Sequence, residues 1–219
     1  MALRSMFQEK LEKLQADLLK MGALTAEMID YSMKALVERD ESLVERVLDL
    51  ERQVDSWDDR LEAKCARLIA TQQPMAKDLR IIASAFKVIT DVERIADYCV
   101  DIAFKAKVLA PLEPLKPYKD FPRMAELDHQ MLELALEAYA TRNLDDCRRV
   151  GEMDHEVDRL YNVSFDEIVA LMKKSPENVE RGAHLLLVGR YLERIGDHIT
   201  NIAERIIYTE TGESVSLNV

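Results

Sequence analysis

Residues 192–198, Leu-Glu-Arg-Ile-Gly-Asp-His, repeat residues 92–98, Val-Glu-Arg-Ile-Ala-Asp-Tyr, at an offset of 100 positions. Each copy carries a Glu and an Asp four residues apart. That spacing is about one helical turn, so both carboxylates of a copy lie on one face of a helix. The repeat indicates that the chain contains two copies of one structural unit.

The composition predicts long helices without a sheet. The 219 residues are 48% hydrophobic and include only 6 glycines and 6 prolines. Four of the prolines fall at 111, 114, 117 and 122, a density that is typical of a linker. We therefore predict a first three-helix bundle over 1–110, a proline-rich linker over 111–121 and a second three-helix bundle over 122–219.

Apolar residues in the last helix of each half recur in steps of four and three, the pattern of helices that pack nearly antiparallel. The fold class is predicted to be all-α, with two pseudo-symmetric three-helix bundles. The helices are expected near residues 5–38, 42–71, 75–109, 122–141, 144–173 and 177–209.

The charge balance excludes several functions. A net charge of −11 disfavours binding to nucleic acid, and it disfavours adsorption to anionic lipid. The beginning of the sequence does not resemble a signal peptide, and no apolar run is long enough to span a membrane. We expect a cytoplasmic protein that approaches membranes only through partners. Its three widely spaced cysteines are predicted to be core residues.

The middle helix of each half repeats the acidic spacing of the last helix. If the two helices pack side by side, four carboxylates meet in each half, and at about 4–6 Å they repel one another by several kcal/mol. Either some of them are protonated or a cation binds between them. Oxygen ligands suit magnesium, calcium, manganese and iron. The candidate metal ligands are Glu51, Asp55, Glu93, Asp97, Asp154, Asp158, Glu193 and Asp197.

Two further observations bear on these sites. Ala96, Gly189 and Gly196 are small residues next to the acidic pairs, and we interpret them as space for an ion and its waters. The alternative is that the acidic faces are simply solvated, with Arg94 and Arg194 each neutralising the aspartate three residues later. The chain shows no grouping typical of nucleophilic catalysis and no phosphate-binding loop, so an enzyme is not expected.

Three stretches together resemble the PhoU family of phosphate-transport accessory and regulatory proteins: residues 73–80, 90–98 and 192–204. The resemblance covers essentially the whole chain. It implies a six-helix protein whose acidic motifs bind iron, zinc, magnesium or manganese. It also implies a homodimer that represses the phosphate-starvation response and phosphate uptake, acting between the ATPase of an ABC-type phosphate transporter and a sensor histidine kinase.

Two other functions stay open from the residues alone. One is a helical-bundle di-metal oxidase or storage protein, for which Glu152 and His155 supply one copy of a Glu-x-x-His motif but not the second. The other is an interaction scaffold without metal. Under the favoured hypothesis, metal ions join the middle and last helices and form a charged platform that engages partners through bridging cations.

Overall fold

The computed structural model describes residues 2–218, and within them the chain forms six long helices and no strand. A 3-10 turn, Pro176–Asn178, precedes the last helix. The helices are α1 Ala2–Glu38, α2 Glu41–Gln72, α3 Lys77–Leu109, α4 Asp120–Thr141, α5 Leu144–Lys174 and α6 Val179–Thr211.

The first hairpin of each half is built by the same local chemistry. Arg39 and Arg142 end α1 and α4 with positive φ angles of 58° and 62°. The next residues, Asp40 and Asn143, cap α2 and α5 by accepting a hydrogen bond from the backbone N–H two residues later, at 2.8 and 3.1 Å. The duplication therefore includes these turns. Because Arg39 corresponds to Arg142, the sequence of α1 can be aligned with that of α4.

The helices pack as two sets of three. Helices α1, α2 and α3 contact one another, as do α4, α5 and α6, and the two sets meet where α3 packs on α6 and α1 on α4. The all-α prediction is confirmed. The apolar stripes of α3 and α6 are buried at the centre: Ala85, Val88, Val92, Ile95, Cys99, Ile102, Ala106 and Leu109, and Leu185, Val188, Leu192, Ile195, Ile199, Ile202 and Ile206.

The segment between the halves is held against the protein. Arg39 donates hydrogen bonds to the carbonyls of Ala110 and Leu112, at 2.7 and 3.0 Å. Arg181 donates to the carbonyl of Glu113 at 3.0 Å. Helix α4 begins at residue 120, two residues earlier than predicted, because Pro122 is tolerated in a first helical turn.

Other boundaries differ slightly from the sequence prediction. Helix α3 begins at residue 77 instead of 75 because Gln73 and Ala76 take positive φ angles of 46° and 48°, which interrupt the helix. The three cysteines are buried and unpaired, as predicted. In the part of the chain that the structure describes, no helix has the length and apolarity needed to cross a membrane.

Candidate metal centre

The structure brings four predicted ligands together in the first half. Glu51 and Asp55 extend from α2, and Glu93 and Asp97 extend from the adjacent face of α3. Glu51 and Asp55 are close enough to share a hydrogen bond. We call these four residues the first carboxylate cluster.

The electrostatics of the first cluster follow from this crowding. Burial raises the pKa of Glu51, Asp55 and Glu93, and the charge of Asp97 raises each of them further. The cluster remains partly open to solvent, because the side chains of Glu93 and Asp97 keep 25% and 41% of their surface exposed. Its carboxylates therefore repel one another at the surface of the protein.

The second half repeats the arrangement in a more buried form. Asp154 and Asp158 of α5 face Glu193 and Asp197 of α6, and we call these four residues the second carboxylate cluster. Burial, followed by the charges of the other three acids, raises the pKa of Asp154 to about 7. Burial and the charge of Asp197 raise the pKa of Asp158 and Glu193 as well. Only 2% of Asp154 is exposed, so this cluster reaches into the bundle.

Additional acids that were not predicted as ligands adjoin both clusters. Asp58 and Asp101 lie beside the first cluster, and burial raises the pKa of both; neighbouring carboxylates raise it further, while Lys105 partly lowers that of Asp101. Asp128 of α4 is completely buried beside the second cluster. Burial, then the charges of Asp154 and Glu193, raise its pKa well above the ordinary value. The sequence carried a signal for Asp128, because it is an acid within the apolar face of α4.

The small residues of α6 have different roles from each other. A Cβ atom on Gly196 would lie 2.5 Å from Oδ1 of Asp154, so this glycine makes room for the carboxylate. A Cβ atom on Gly189 would lie 3.1 Å from Cε1 of Phe121. Gly189 therefore accommodates an aromatic ring, and our interpretation of it as space for an ion was wrong.

Arginines neutralise part of each cluster. Arg94 donates to Oδ2 of Asp97 at 2.9 Å, and Arg194 donates to Oδ2 of Asp197 at 2.8 Å, three residues later in each case. Arg190 also donates to Oε1 of Glu193. Nε of Arg94 also lies 3.7 Å from Oε2 of Glu93, so four of the eight predicted ligands have an arginine partner.

The donor chemistry of the clusters fits a hard cation. Every candidate ligand is a carboxylate oxygen, the type of donor that magnesium, manganese, calcium and iron prefer. Oε2 of Glu193 and both oxygens of Asp128 are buried and have no hydrogen-bond partner among the described residues. Within residues 2–218, no three Asp, Glu, His or Cys side chains already surround a single point as ligands. Metal binding would therefore require these carboxylates to turn towards a common centre.

His198 has a structural position at the junction of the two halves. Its Nδ1 atom lies 2.8 Å from Oδ1 of Asp91 on α3, and its ring packs against Tyr98 with 5.7 Å between the centroids. Tyr98 also stacks on Tyr191 at 5.8 Å. This side chain therefore connects α6 to α3, consistent with leaving it out of the ligand set that both halves share.

The fold and the two clusters define a class of all-helical protein with a duplicated three-helix unit and paired acidic motifs. The model of the PhoU domain matches this chain twice, at residues 18–106 and 121–206. The chain is 38% identical over 216 residues to the phosphate-specific transport system accessory protein PhoU homolog of Clostridium acetobutylicum, covering 98% of this chain and 99% of that protein. It is 36% identical over 208 residues to the Deinococcus radiodurans protein of the same description, covering 92% and 98%.

Solved structures agree with these relatives. The crystal structure of PhoU from Pseudomonas aeruginosa matches with a TM-score of 0.91 at 33% identity, covering 94% of this chain and 100% of that one. The phosphate transport system regulatory protein PhoU from Streptococcus pneumoniae matches with a TM-score of 0.86 at 29% identity, covering 96% and 99%. The chain belongs to the PhoU family.

Proposed function

We propose that this protein is an accessory regulator of phosphate uptake whose two carboxylate clusters bind metal ions. The regulatory role is supported by the descriptions of its relatives as accessory or regulatory proteins of the phosphate transport system. The observation that carries the metal proposal is the convergence of four carboxylates from two helices in each half, with raised pKa values in both. A multivalent cation would offset that repulsion.

Bound metal would act on the structure and on the surface at the same time. An ion between α2 and α3, or between α5 and α6, would join the two helices. The more exposed first cluster would also present the ion to a partner, whose own acidic groups complete its coordination. The partners we propose are the ATPase of an ABC-type phosphate transporter and a phosphate-sensing histidine kinase, contacted from the cytoplasm.

The direction of regulation in this proposal is negative. When phosphate is plentiful, the metal-bound protein would hold the transporter and the kinase in their repressed states. The protein acts through contacts and not through catalysis. A homodimer is proposed as well, supported by the exposed apolar side chains of Phe104 and Val108, one turn apart on α3.

The regulatory proposal is tested by capture of partners from phosphate-replete cells. We expect the tagged protein to retain the transporter ATPase or the kinase, and a variant with alanine at Glu93, Asp97, Glu193 and Asp197 to lose them. A control with alanine at the exposed acids Glu45, Asp49, Glu152 and Asp166 removes the same charge and should keep its partners. Equal capture by both variants would contradict a role for the clusters in partner binding.

The competing oxidase or storage function has less support in the structure. Glu152 and His155, the one Glu-x-x-His pair, both lie on the exposed face of α5, whereas Asp154 between them is buried. Oxygen consumption by the iron-loaded protein would nevertheless favour that function over a regulator. A scaffold without metal would be favoured if the dialysed protein retained no ion and still captured its partners.

A further inference from the structure

A buried acid beside the second cluster, Asp128 of α4, has no counterpart in the first half. The equivalent turns at Arg39 and Arg142 align the sequences of α1 and α4 at an offset of 103 residues. In this alignment Asp128 of α4 corresponds to Thr25 of α1. Thr25 is also completely buried, but its hydroxyl donates to the carbonyl of Met21 at 3.2 Å. One half therefore has a neutral, hydrogen-bonded side chain where the other has a carboxyl.

A second difference occurs at the same place. Ala96 on α3 corresponds to Gly196 on α6. A Cβ atom on Gly196 would lie 2.5 Å from Oδ1 of Asp154 and 3.5 Å from Oδ1 of Asp128. The missing methyl group allows the Asp154 oxygen from α5 to approach α6 here, and the Asp128 oxygen from α4 lies at ordinary contact distance from the same point. The two differences therefore form one arrangement, which the first half lacks.

The oxygens at this point have no protein partner. Both oxygens of Asp128 and Oε2 of Glu193 are buried without a hydrogen bond among the described residues. The nearby arginines do not supply one, because Arg190 pairs with the other oxygen of Glu193 and Arg194 pairs with Asp197. Buried carboxyls are normally hydrogen bonded, paired with a charge or bound to a metal, and the carboxyl of Asp128 has neither of the first two, while that of Glu193 keeps one oxygen without a partner.

We propose that Asp128 is an inner ligand of the second cluster, where it holds one hard divalent cation together with Asp154 and Glu193. The proposal rests on the proposed metal binding and adds a residue from a third helix to it. The two sites are then unequal. The second is deep and connects α4, α5 and α6, whereas the first is shallow, connects two helices and exchanges its ion more readily.

The test uses Mn²⁺ as the probe and the full chain after dialysis against a chelator. Glu51→Gln and Glu93→Gln together disable the first cluster, so that equilibrium dialysis of this parent reports the second. Adding Asp128→Asn is expected to weaken Mn²⁺ binding at least about tenfold. Asp128→Thr introduces the residue type that Thr25 supplies at the equivalent position of the first half, and it should weaken Mn²⁺ binding to the same extent. Thr25→Ser is the matched control and should leave the affinity unchanged.

A thermal unfolding measurement separates a ligand from a packing residue. If Asp128 is a ligand, its buried carboxyl destabilises the protein when no metal is bound. Asp128→Asn should then keep or raise the melting temperature of the metal-free parent. It should also reduce the increase in melting temperature that Mn²⁺ causes. A loss of melting temperature without metal, with an unchanged increase on adding Mn²⁺, would overturn the proposal. Mn²⁺ binding by the parent that Asp128→Asn does not weaken would overturn it too. A chain with intact clusters that binds no Mn²⁺ would contradict the proposed metal binding itself.

Discussion

Asn218 donates a hydrogen bond from Nδ2 to Oδ1 of Asp197, at 2.9 Å, so the segment after α6 reaches back to the second carboxylate cluster. The backbone N–H of Leu217 donates to Oε1 of Glu204 at 2.8 Å. Leu217 also packs over α5. A Cβ atom placed on Gly151 would lie 3.1 Å from the Cβ atom of Leu217. This segment covers one edge of the second cluster, whereas the segment after α3 runs into the linker.

Removing the Asn218 contact should strengthen metal binding at the second cluster. Asn218→Ala frees an oxygen of Asp197 for an ion, and an exposed hydrogen bond has a net worth of about 0.5–1.5 kcal/mol, so we expect an affinity increase of about two- to tenfold. Titration calorimetry with Mn²⁺ measures the change. Ser214→Ala, at an exposed position in the same segment, should have no effect. Weaker binding in Asn218→Ala would show that this segment supports the site.

Gly196→Ala should damage the second cluster selectively. The new methyl group would displace Asp154, whose Oδ1 lies 2.5 Å from the Cβ position, and we expect metal affinity there to fall at least about tenfold. Gly189→Ala is the matched control on the same helix, because its methyl group meets Phe121 and not a carboxylate. Equal metal affinities in the two variants would show that the space at Gly196 does not serve the site.

The stability of the metal-free protein should depend on pH through Asp154. Its pKa is raised from 3.8 to about 7 in the folded chain. Between these values the folded protein holds a proton that the unfolded chain has lost, so this contribution to stability is complete below about pH 4 and is lost as the pH rises towards 7.

Urea unfolding in the presence of a chelator, between pH 5 and 8, measures how the free energy of unfolding depends on pH. This range extends about one unit above the raised pKa of Asp154. Asp154→Asn should flatten the decline, since the amide does not titrate. Added metal should reverse it, because a cation competes with the proton for the carboxylate and binds more tightly at higher pH. An identical decline in the wild type and in Asp154→Asn would assign the pH dependence to other groups.

His198→Phe should destabilise the protein without changing its metal content. The ring is kept, but the contact with Asp91 is lost, and leaving a largely buried carboxylate without this partner costs about 1–3 kcal/mol. Chemical unfolding and elemental analysis measure the two effects. Lys107→Gln, at an exposed position on α3, should change neither quantity. A loss of metal in His198→Phe would make this histidine part of the site.

Most of the fold could be predicted from the sequence because two strong signals agree. The heptapeptide repeat indicates the duplication, and the stripes of α3 and α6 have the helical period along their whole length. The helix starts were less accurate, because the positive φ at Ala76 has no glycine to mark it. The sequence also did not predict that residues 212–218 fold back along α6. Their position depends on single contacts, such as those of Leu217, and not on a periodic pattern.

From the sequence, the candidate site could be predicted only as pairs of carboxylates, each pair on one helix. Glu-x-x-x-Asp spacing places two carboxylates on one helix, and the repeated motif in α2 and α5 indicates which helices face each other. Depth is a property of packing, so the spacing could not show that Asp154 is buried while Asp97 stays partly exposed. Asp128 was overlooked because it belongs to no repeated motif, although an acid between Met124 and Met131 on an apolar face was a usable signal.

Elemental analysis of the purified protein after extensive dialysis shows whether the two clusters bind metal. We expect bound iron, zinc, manganese or magnesium in the wild type. We expect loss of that metal in the folded variant with alanine at Glu93, Asp97, Glu193 and Asp197, and retention in the control with alanine at Glu45, Asp49, Glu152 and Asp166. Equal metal content in the wild type and the cluster variant, or no metal uptake by the wild type from any of these ions, would contradict metal binding by the two clusters.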